Sequence, residues 1–185
     1  MSSLRFPAVV PTLLGKTFCL RELGEEDIPS WFERATDAES ADLAGDPIPT
    51  SPELGASWLQ KHREQFRRKR GLRWAIVPAG SAQSVGTVGL AIGAGSPPFA
   101  DLGIVVARSW WGRGLGTAAA RNVAHFAFVE IGLHELRAEV LQRNRASVRL
   151  LEKTGFRLVR ELPPTHEEPE VLLSYALARG NHGAA

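Results

Sequence analysis

Apolar and polar residues alternate along several short segments of the chain, which is the pattern of half-buried β-strands. This pattern predicts strands at residues 16–22, 72–77, 84–92, 101–106, 134–141, 156–162 and 170–178. Apolar residues at helical spacing predict helices over 24–35, from an N-cap at Ser51 to about Arg70, over 115–131, and over 144–155, where Gly155 is the left-handed C-cap. The stretch DLAGDPIPTSPE, residues 42–53, is expected to form a loop up to that N-cap.

The order of these elements predicts an α/β (α+β) fold of about six to seven strands and about four helices. Strands outnumber helices and alternate with them, so the helices are expected to pack on the faces of one sheet. A chain of 185 residues without a long linker predicts a single domain over residues 1–185. We expect its core to span about 16–178, with short flexible termini.

Composition narrows the possible classes of protein. Lysine and arginine number 22 against 20 acidic residues, so a dedicated nucleic-acid binder is disfavoured, although the pI near 9.0 leaves that possibility open. The single cysteine, Cys19, excludes an internal disulfide framework, and the chain has neither a CxxC nor an HExxH metal motif. With no run of eighteen apolar residues and no evident targeting segment, we expect a cytoplasmic protein without a metal.

The most informative segment is the turn WGRGLGT, residues 111–117, between a predicted strand and a predicted helix. Glycines at 112, 114 and 116 let the backbone approach a ligand, and the start of a helix favours negative charge. A phosphate or pyrophosphate suits such a turn. A P-loop is excluded because Gly116 is followed by Thr117 rather than lysine, and the third glycine is misplaced for a dinucleotide fingerprint.

Two motifs together resemble a known family. W111-GRGLGTAAA-R121 and N144-RASVRLLEKTGF-156, in this order and spacing, are similar to the GNAT superfamily of acetyl-CoA-dependent N-acetyltransferases. Within it they resemble the branch of the ribosomal-protein N-terminal acetyltransferases. The resemblance covers nearly the whole chain and implies a mixed, mostly antiparallel sheet, splayed between the strands at 101–106 and 134–141.

The resemblance also implies how acetyl-CoA would bind in that splay. The main chain of Ile104, Val105 and Val106 would bond the pantetheine arm and the thioester carbonyl, and Asn144 would contact the cofactor near the pantetheine. The pyrophosphate would lie on the glycine-rich turn, at Gly112, Arg113, Gly114, Leu115, Gly116 and Thr117.

Acetyl transfer to an amine needs a proton acceptor, for which two carboxylates are candidates. Glu139 matches an acidic position used as a base in some relatives, and Asp101 opens its strand where other relatives carry an acid. Either could instead be a solvent-facing charge. Many relatives have a tyrosine at the position of Leu151, so Ser147 is the remaining hydroxyl for the leaving thiolate, unless it only serves the helix start.

The identity of the acceptor is left open by the sequence. The resemblance to this branch favours a protein N-terminal amine, such as that of a ribosomal protein, over an aminoglycoside, polyamine or amino-acid derivative. The loops at 42–53 and 161–170 would contact the acceptor, and their acidic residues leave an aminoglycoside possible. A non-catalytic acyl-CoA-binding module is the alternative from another class, and the protein is expected to be a monomer or a homodimer.

Overall fold

The computed structural model describes residues 4–45, 47–166 and 169–181, which form one eight-stranded sheet and five α-helices. The strands follow the spatial order β1-β2-β3-β4-β5-β6-β8-β7, and every adjacent pair is antiparallel except β5 and β6. Their bounds are β1 Leu13–Leu14, β2 Phe18–Glu22, β3 Gly71–Pro78, β4 Gly86–Ile92, β5 Phe99–Val106, β6 Glu135–Leu141, β7 Arg157–Leu162 and β8 Leu172–Ala178.

Along the chain, three helices come between β2 and β3: α1 Ile28–Ala35, α2 Ala38–Ala44 and α3 Leu54–Arg67. Helix α4, Leu115–Phe126, comes between β5 and β6, and α5, Arg145–Thr154, comes between β6 and β7. A π-helical segment, Ala127–Ile131, continues α4, and short 3-10 turns occur at Glu25–Asp27, Arg108–Trp110 and Arg179–Asn181.

The larger hydrophobic core lies between the sheet and α4 with α5. Trp74 is fully buried there, packs edge-on against Phe126 at a centroid distance of 5.7 Å, and donates its indole N–H to the carbonyl of Pro11 at 2.7 Å. Small alanines along α4 keep this helix close to the strands. A smaller cluster covers the opposite face of β3, where Ala75 and Val77 pack under Leu59 of α3.

The sheet splits in its middle, as the sequence predicts. Parallel pairing of β5 with β6 extends only from Phe99–Glu135 to Asp101–Arg137. Beyond these pairs β5 continues to Val106 along β4, while β6 continues to Leu141 along β8. The two strands therefore diverge and leave a wedge between them.

Helix α2 is the main departure from the predicted elements. Asp37 accepts a hydrogen bond from the amide of Ser40 at 2.9 Å and so caps the helix, and Gly45, with φ of 69°, ends it. The predicted loop at 42–53 therefore begins with the last turn of a helix. This helix raises the count among the described residues from about four to five, and the short β1 helps raise the strand count to eight.

The bounds of α3 also differ from the prediction. Ser51 and Pro52 belong to a preceding turn, in which their carbonyls accept hydrogen bonds from the amides three residues later. The N-cap of α3 is therefore Glu53 rather than Ser51. The helix ends near Arg67 instead of Arg70, since Lys69 takes a positive φ of 55°. By contrast, α5 ends at its predicted cap, Gly155, while Asn144, the first residue of the predicted helix, is its N-cap.

Candidate active site

A cleft of about 600 Å³ opens where β5 and β6 diverge. Five parts of the chain enclose it: the two diverging strands, the glycine-rich turn, α5 and α2. From the predicted set, the residues lining it are Ile104, Val105, Val106, Gly112, Gly114, Gly116, Thr117, Glu139, Asn144 and Ser147.

The hydrogen-bond ladder of β4 and β5 decides which main-chain groups of β5 face this cleft. At one end Gly93 donates to the carbonyl of Phe99, and at the other Ala107 donates to the carbonyl of Val85. Because antiparallel strands alternate bonded and non-bonded residues, odd-numbered residues of β5 face β4. The even-numbered residues direct their N–H and C=O groups towards β6 and the cleft.

This alternation distinguishes the three residues predicted to hold the pantetheine arm. Ile104 and Val106 direct their main-chain groups into the cleft, whereas those of Val105 belong to the ladder with β4. The indole N–H of Trp111 donates to the carbonyl of Val106 at 2.7 Å. Of these three residues, the main-chain groups that face the cleft without a bond to β4 or Trp111 are therefore the N–H and C=O of Ile104 and the N–H of Val106.

The hydrogen bonds between β6 and β8 decide which main-chain groups of β6 face the cleft. Gln142 donates to Val171, and Arg179 donates to His134, so even-numbered residues of β6 bond β8. The main-chain groups of Glu139 consequently face the cleft. The side chain of Glu139 lies on the sheet face opposite the large core, because its neighbours Ala138 and Val140 are buried in that core.

The glycines of the turn have two different structural roles. Gly112 and Gly114 adopt left-handed φ values of 75° and 77°, and a Cβ on either would meet nothing within 4 Å. At Gly116, by contrast, a Cβ would lie 2.8 Å from Leu150 Cδ1, so this glycine allows α4 to pack closely on α5. Gly114 is the N-cap of α4, and the first amides of that helix have no acceptor within it. This open, amide-rich cradle fits a pyrophosphate.

Two residues of the predicted pyrophosphate set do not line the cleft with their side chains. Leu115 is buried in the large core, and the guanidinium of Arg113 lies over the ring of Trp110 at 4.9 Å from its centroid. Because it is buried, Leu115 can contribute to the cradle only through its main chain.

Asn144 uses both ends of its side-chain amide within the protein. Its Oδ1 accepts from the amide of Ser147 at 3.1 Å and caps α5, while its Nδ2 donates to the carbonyl of Leu43 at 2.9 Å. The residue therefore joins α5 to α2 across the mouth of the cleft.

Helix α2 is held over the wedge from both sides. Arg108, which follows β5, bonds Asp37 at 3.1 Å and Glu39 at 3.2 Å. On the β6 side, Arg143 makes bonds to the carboxylates of Asp42 and Glu170. The bonds to Glu170 and Asp42 raise the pKa of Arg143. These ion pairs position α2 so that it lines the cleft.

A second cavity of about 500 Å³ adjoins the narrow end of the wedge. Asp101 lines only this second cavity, whereas Glu139 lines both. Burial raises the pKa of Asp101, and the nearby Arg137 partly opposes that rise. Tyr175 also borders the second cavity, although it is only 3% exposed, and burial raises its pKa. Glu139 is thus the predicted carboxylate that connects the two spaces.

Residues 17–157 match the family model of the acetyltransferase (GNAT) domain. The chain belongs to the GNAT acetyltransferase family. It is 28% identical over 146 residues to the uncharacterized N-acetyltransferase YoaA of Bacillus subtilis, which covers 79% of this chain and 82% of that one. The resemblance of the two sequence motifs to the GNAT superfamily is confirmed, and the protein is an N-acetyltransferase of this family.

Solved structures share the fold of this GNAT protein. Mycobacterium smegmatis RimJ in complex with CoA-disulfide superimposes with a TM-score of 0.77 at 23% identity, covering 96% of this chain and 90% of the other. Spermidine N-acetyltransferase from Vibrio cholerae, in complex with CoA and spermine, has a TM-score of 0.78 at 15% identity, covering 91% and 99%. At these identities the likeness shows the fold alone.

Two parts of the cleft escaped the sequence reasoning. Helix α2 contributes Ser40, Leu43, Ala44 and Gly45, and β3 contributes Arg73. The cap residues of α2 were visible signals for that helix. A charged residue inside the apolar segment LRWAIV was the signal for Arg73.

Some predictions concern residues that lie outside the described ranges. Asp46, Glu167 and Glu168, in the two loops expected to contact the acceptor, are among them, as are residues 1–3 and 182–185 of the termini. Within residues 4–45, 47–166 and 169–181, no group of three or more His, Cys, Asp or Glu side chains is placed to hold a metal ion. In the same ranges, none of the helices has the length and apolar character needed to cross a membrane.

Proposed function

We propose that this GNAT protein transfers the acetyl group of acetyl-CoA to a primary amine by direct attack in a ternary complex. The acceptor we favour is a protein N-terminal amine, such as that of a ribosomal protein. The observation that carries this proposal is the position of Glu139, which lines both the wedge and the second cavity. The two reactants can therefore approach this residue from two adjoining spaces.

We place the co-substrate in the wedge between β5 and β6. The main chain from Gly112 to Thr117 would hold the pyrophosphate at the start of α4, as helix N-termini hold anions elsewhere. The N–H and C=O of Ile104 and the N–H of Val106 would bond the pantetheine arm. Acetyl-CoA supplies the activated thioester carbonyl.

Glu139 is proposed as the base that takes a proton from the acceptor ammonium, directly or through water. The neutral nitrogen then forms a bond to the thioester carbon, and the carbon–sulfur bond breaks. An N–H group of the β5 edge donates to the carbonyl oxygen while negative charge develops there. Holding both reactants at the wedge contributes to the rate through proximity.

Ser147 is proposed to donate its hydroxyl proton to the leaving sulfur and to regain a proton, directly or through water, from the attacking nitrogen, which loses its second proton as the amide forms. Its side chain lines the cleft, and its amide is held by Asn144. Asp101 is the alternative base, because its raised pKa would favour proton exchange closer to neutral pH than an ordinary aspartate allows. We further propose that the whole chain is one domain acting in the cytoplasm, as a monomer or homodimer.

The proposal is tested by measuring thiol release from acetyl-CoA with a panel of N-terminal peptides, polyamines and aminoglycosides. We expect release that depends on a peptide, and Glu139→Gln should lower kcat and raise the pH at which the rate reaches its plateau. The exposed Glu130, on the π-helical segment after α4, provides the matched control Glu130→Gln.

Each result has a distinct meaning. An unchanged pH profile in Glu139→Gln, with a lowered rate in Asp101→Asn, would transfer the role of base to Asp101. Unchanged turnover in Ser147→Ala would restrict Ser147 to the first turn of α5. Binding of acetyl-CoA without thiol release from any amine would contradict acetyl transfer and favour a non-catalytic acyl-CoA-binding module.

A further inference from the structure

Two cationic residues of α5, Arg149 and Lys153, line the wedge beside the glycine-rich turn. They stand four residues apart and so belong to one face of the helix, on which Ala146 and Leu150 also line the cleft. Leu150 locates this face relative to the turn, because a Cβ at Gly116 would lie 2.8 Å from Leu150 Cδ1. The two cations therefore belong to the wall of the cleft that adjoins the start of α4.

The positive charges of Arg149 and Lys153 are not compensated within the described part of the chain. Neither side chain forms an ion pair or a hydrogen bond with any residue of the described ranges. Glu152, the only acidic residue of α5, lies near Tyr175 of β8 instead, and burial together with this carboxylate raises the pKa of the tyrosine. Like charges four residues apart on a helix repel each other, so an anion bound by both would relieve this repulsion.

A third cation lies at the same end of α5. The guanidinium of Arg121, one turn after Thr117 on α4, donates to the main-chain carbonyl of Lys153. Among the described residues that line the wedge, Glu139 is the only acid, and it belongs to β6 and also lines the second cavity. The wall that α4 and α5 form therefore presents positive charge to the cleft.

The helix dipole explains only part of this arrangement. Lys153 lies in the last turn of α5, where a positive charge is favoured by the dipole. Arg149 lies in the middle of the helix, where the dipole gives no such preference. Because both cations also line the cleft, their joint position points to an anionic group of a ligand.

Coenzyme A carries a phosphate besides its pyrophosphate, a monoester on the 3′ oxygen of the ribose. A phosphate monoester has a charge of about −1.5 to −2 at neutral pH and offers three acceptor oxygens. Guanidinium groups bind phosphate by paired hydrogen bonds, and ammonium groups bind it as point charges. Since the ribose follows the pyrophosphate in the molecule, its 3′-phosphate would lie within reach of long side chains on the wall beside the turn.

We propose that Arg149 and Lys153 form a subsite for the 3′-phosphate of the co-substrate, so that the protein distinguishes CoA from dephospho-CoA. This inference rests on the proposed function, because it requires the pyrophosphate to lie on the glycine-rich turn. It is independent of the acceptor amine and of the base. The subsite acts on the affinity for the co-substrate rather than on the rate of acetyl transfer from the bound thioester.

Calorimetry with CoA and with dephospho-CoA, which lacks only the 3′-phosphate, tests the subsite. We expect at least tenfold tighter binding of CoA, since tenfold corresponds to about 1.4 kcal/mol, the lower end of what one charged hydrogen bond contributes. Arg149→Gln combined with Lys153→Gln should remove this preference by weakening the binding of CoA, with the affinity for dephospho-CoA unchanged. Arg145→Gln, at an exposed position of the same helix outside the cleft lining, should retain the preference.

Two further measurements separate charge from structure. Arg149→Lys keeps the positive charge and should retain part of the preference for CoA that Arg149→Gln loses. Raising the salt concentration should reduce the preference, because Arg149 and Lys153 are exposed to solvent. Urea unfolding of each variant should give the midpoint of the unmodified protein, since exposed side chains are replaced.

The outcomes separate this inference from the proposed function. Equal affinity of the unmodified protein for CoA and dephospho-CoA would overturn the subsite, even if acetyl transfer is observed. A loss of affinity in the double variant that is identical for the two nucleotides, or a preference that survives both substitutions, would also overturn it. Binding of neither nucleotide would overturn both proposals. A preference for CoA that depends on the two cations, without acetyl transfer to any amine, would support the subsite and contradict the proposed function alone.

Discussion

Replacement of Asn144 separates its two roles, the cap of α5 and the bond to α2. Asn144→Ala removes the N-cap bond to Ser147, which contributes about 1 kcal/mol, and the bond to the Leu43 carbonyl, which contributes about 1 kcal/mol more. The expected loss in the free energy of unfolding is therefore about 2 kcal/mol. Asn144→Asp keeps an acceptor for the Ser147 amide but loses the donor to Leu43, so we expect it to lose about 1 kcal/mol.

Urea unfolding followed by tryptophan fluorescence measures these differences, and acetyl-CoA affinity is measured on the same variants by calorimetry. Because both substitutions release α2 from α5, both should weaken acetyl-CoA binding. Asn122→Ala also removes a side-chain bond to a carbonyl, that of Leu14, but Asn122 does not line the cleft, so this variant is the control for affinity. Equal destabilisation by Ala and Asp would refute the separation into two bonds. Unchanged affinity in Asn144→Asp would refute a role of the Leu43 bond in forming the cleft.

Three further predictions concern the turn, a buried histidine and the core. Gly114→Ala places a side chain at φ of 77° without any clash, so it should lower the free energy of unfolding by about 1–2 kcal/mol. It should also weaken acetyl-CoA binding, and unaltered binding would contradict the proposal that this turn holds the pyrophosphate. The pKa of His62 is lowered to about 4, below its value in the unfolded chain. The stability that the neutral imidazole contributes above about pH 6.5 should therefore be lost as the pH falls towards 4, by at most about 3 kcal/mol. Urea unfolding at several pH values measures this slope, which His62→Gln should flatten. Trp74→Phe leaves the Pro11 carbonyl without its donor and creates a cavity, so it should cost about 2–4 kcal/mol, whereas Trp31→Phe at a half-buried site should cost less.

Local signals made part of this fold predictable from the sequence. Gly155 is the C-cap of α5 as predicted, because capping depends on the residue itself and its nearest neighbours. The strand–turn–helix of the glycine-rich turn follows in the same way from left-handed positions that only glycine adopts easily. The seven-residue α2 was missed, since a helix so short has little periodicity and depends on ion pairs with distant arginines.

Features that depend on strand register could not be predicted. The difference between Ile104 and Val105 arises from which of them bonds β4, and no property of the two side chains encodes it. Glu139 and Ser147 were predicted through the family resemblance, and their catalytic roles stay proposals.

The most direct measurement of the central claim is thiol release by the purified protein with acetyl-CoA and an N-terminal peptide, with mass spectrometry of the product. Acetyl transfer at the wedge predicts release that requires the peptide, one acetyl group on its α-amine, and a strong decrease in Glu139→Gln but not in Glu130→Gln. Acetyl-CoA binding without peptide-dependent thiol release, or identical rates in these two variants, would contradict the account.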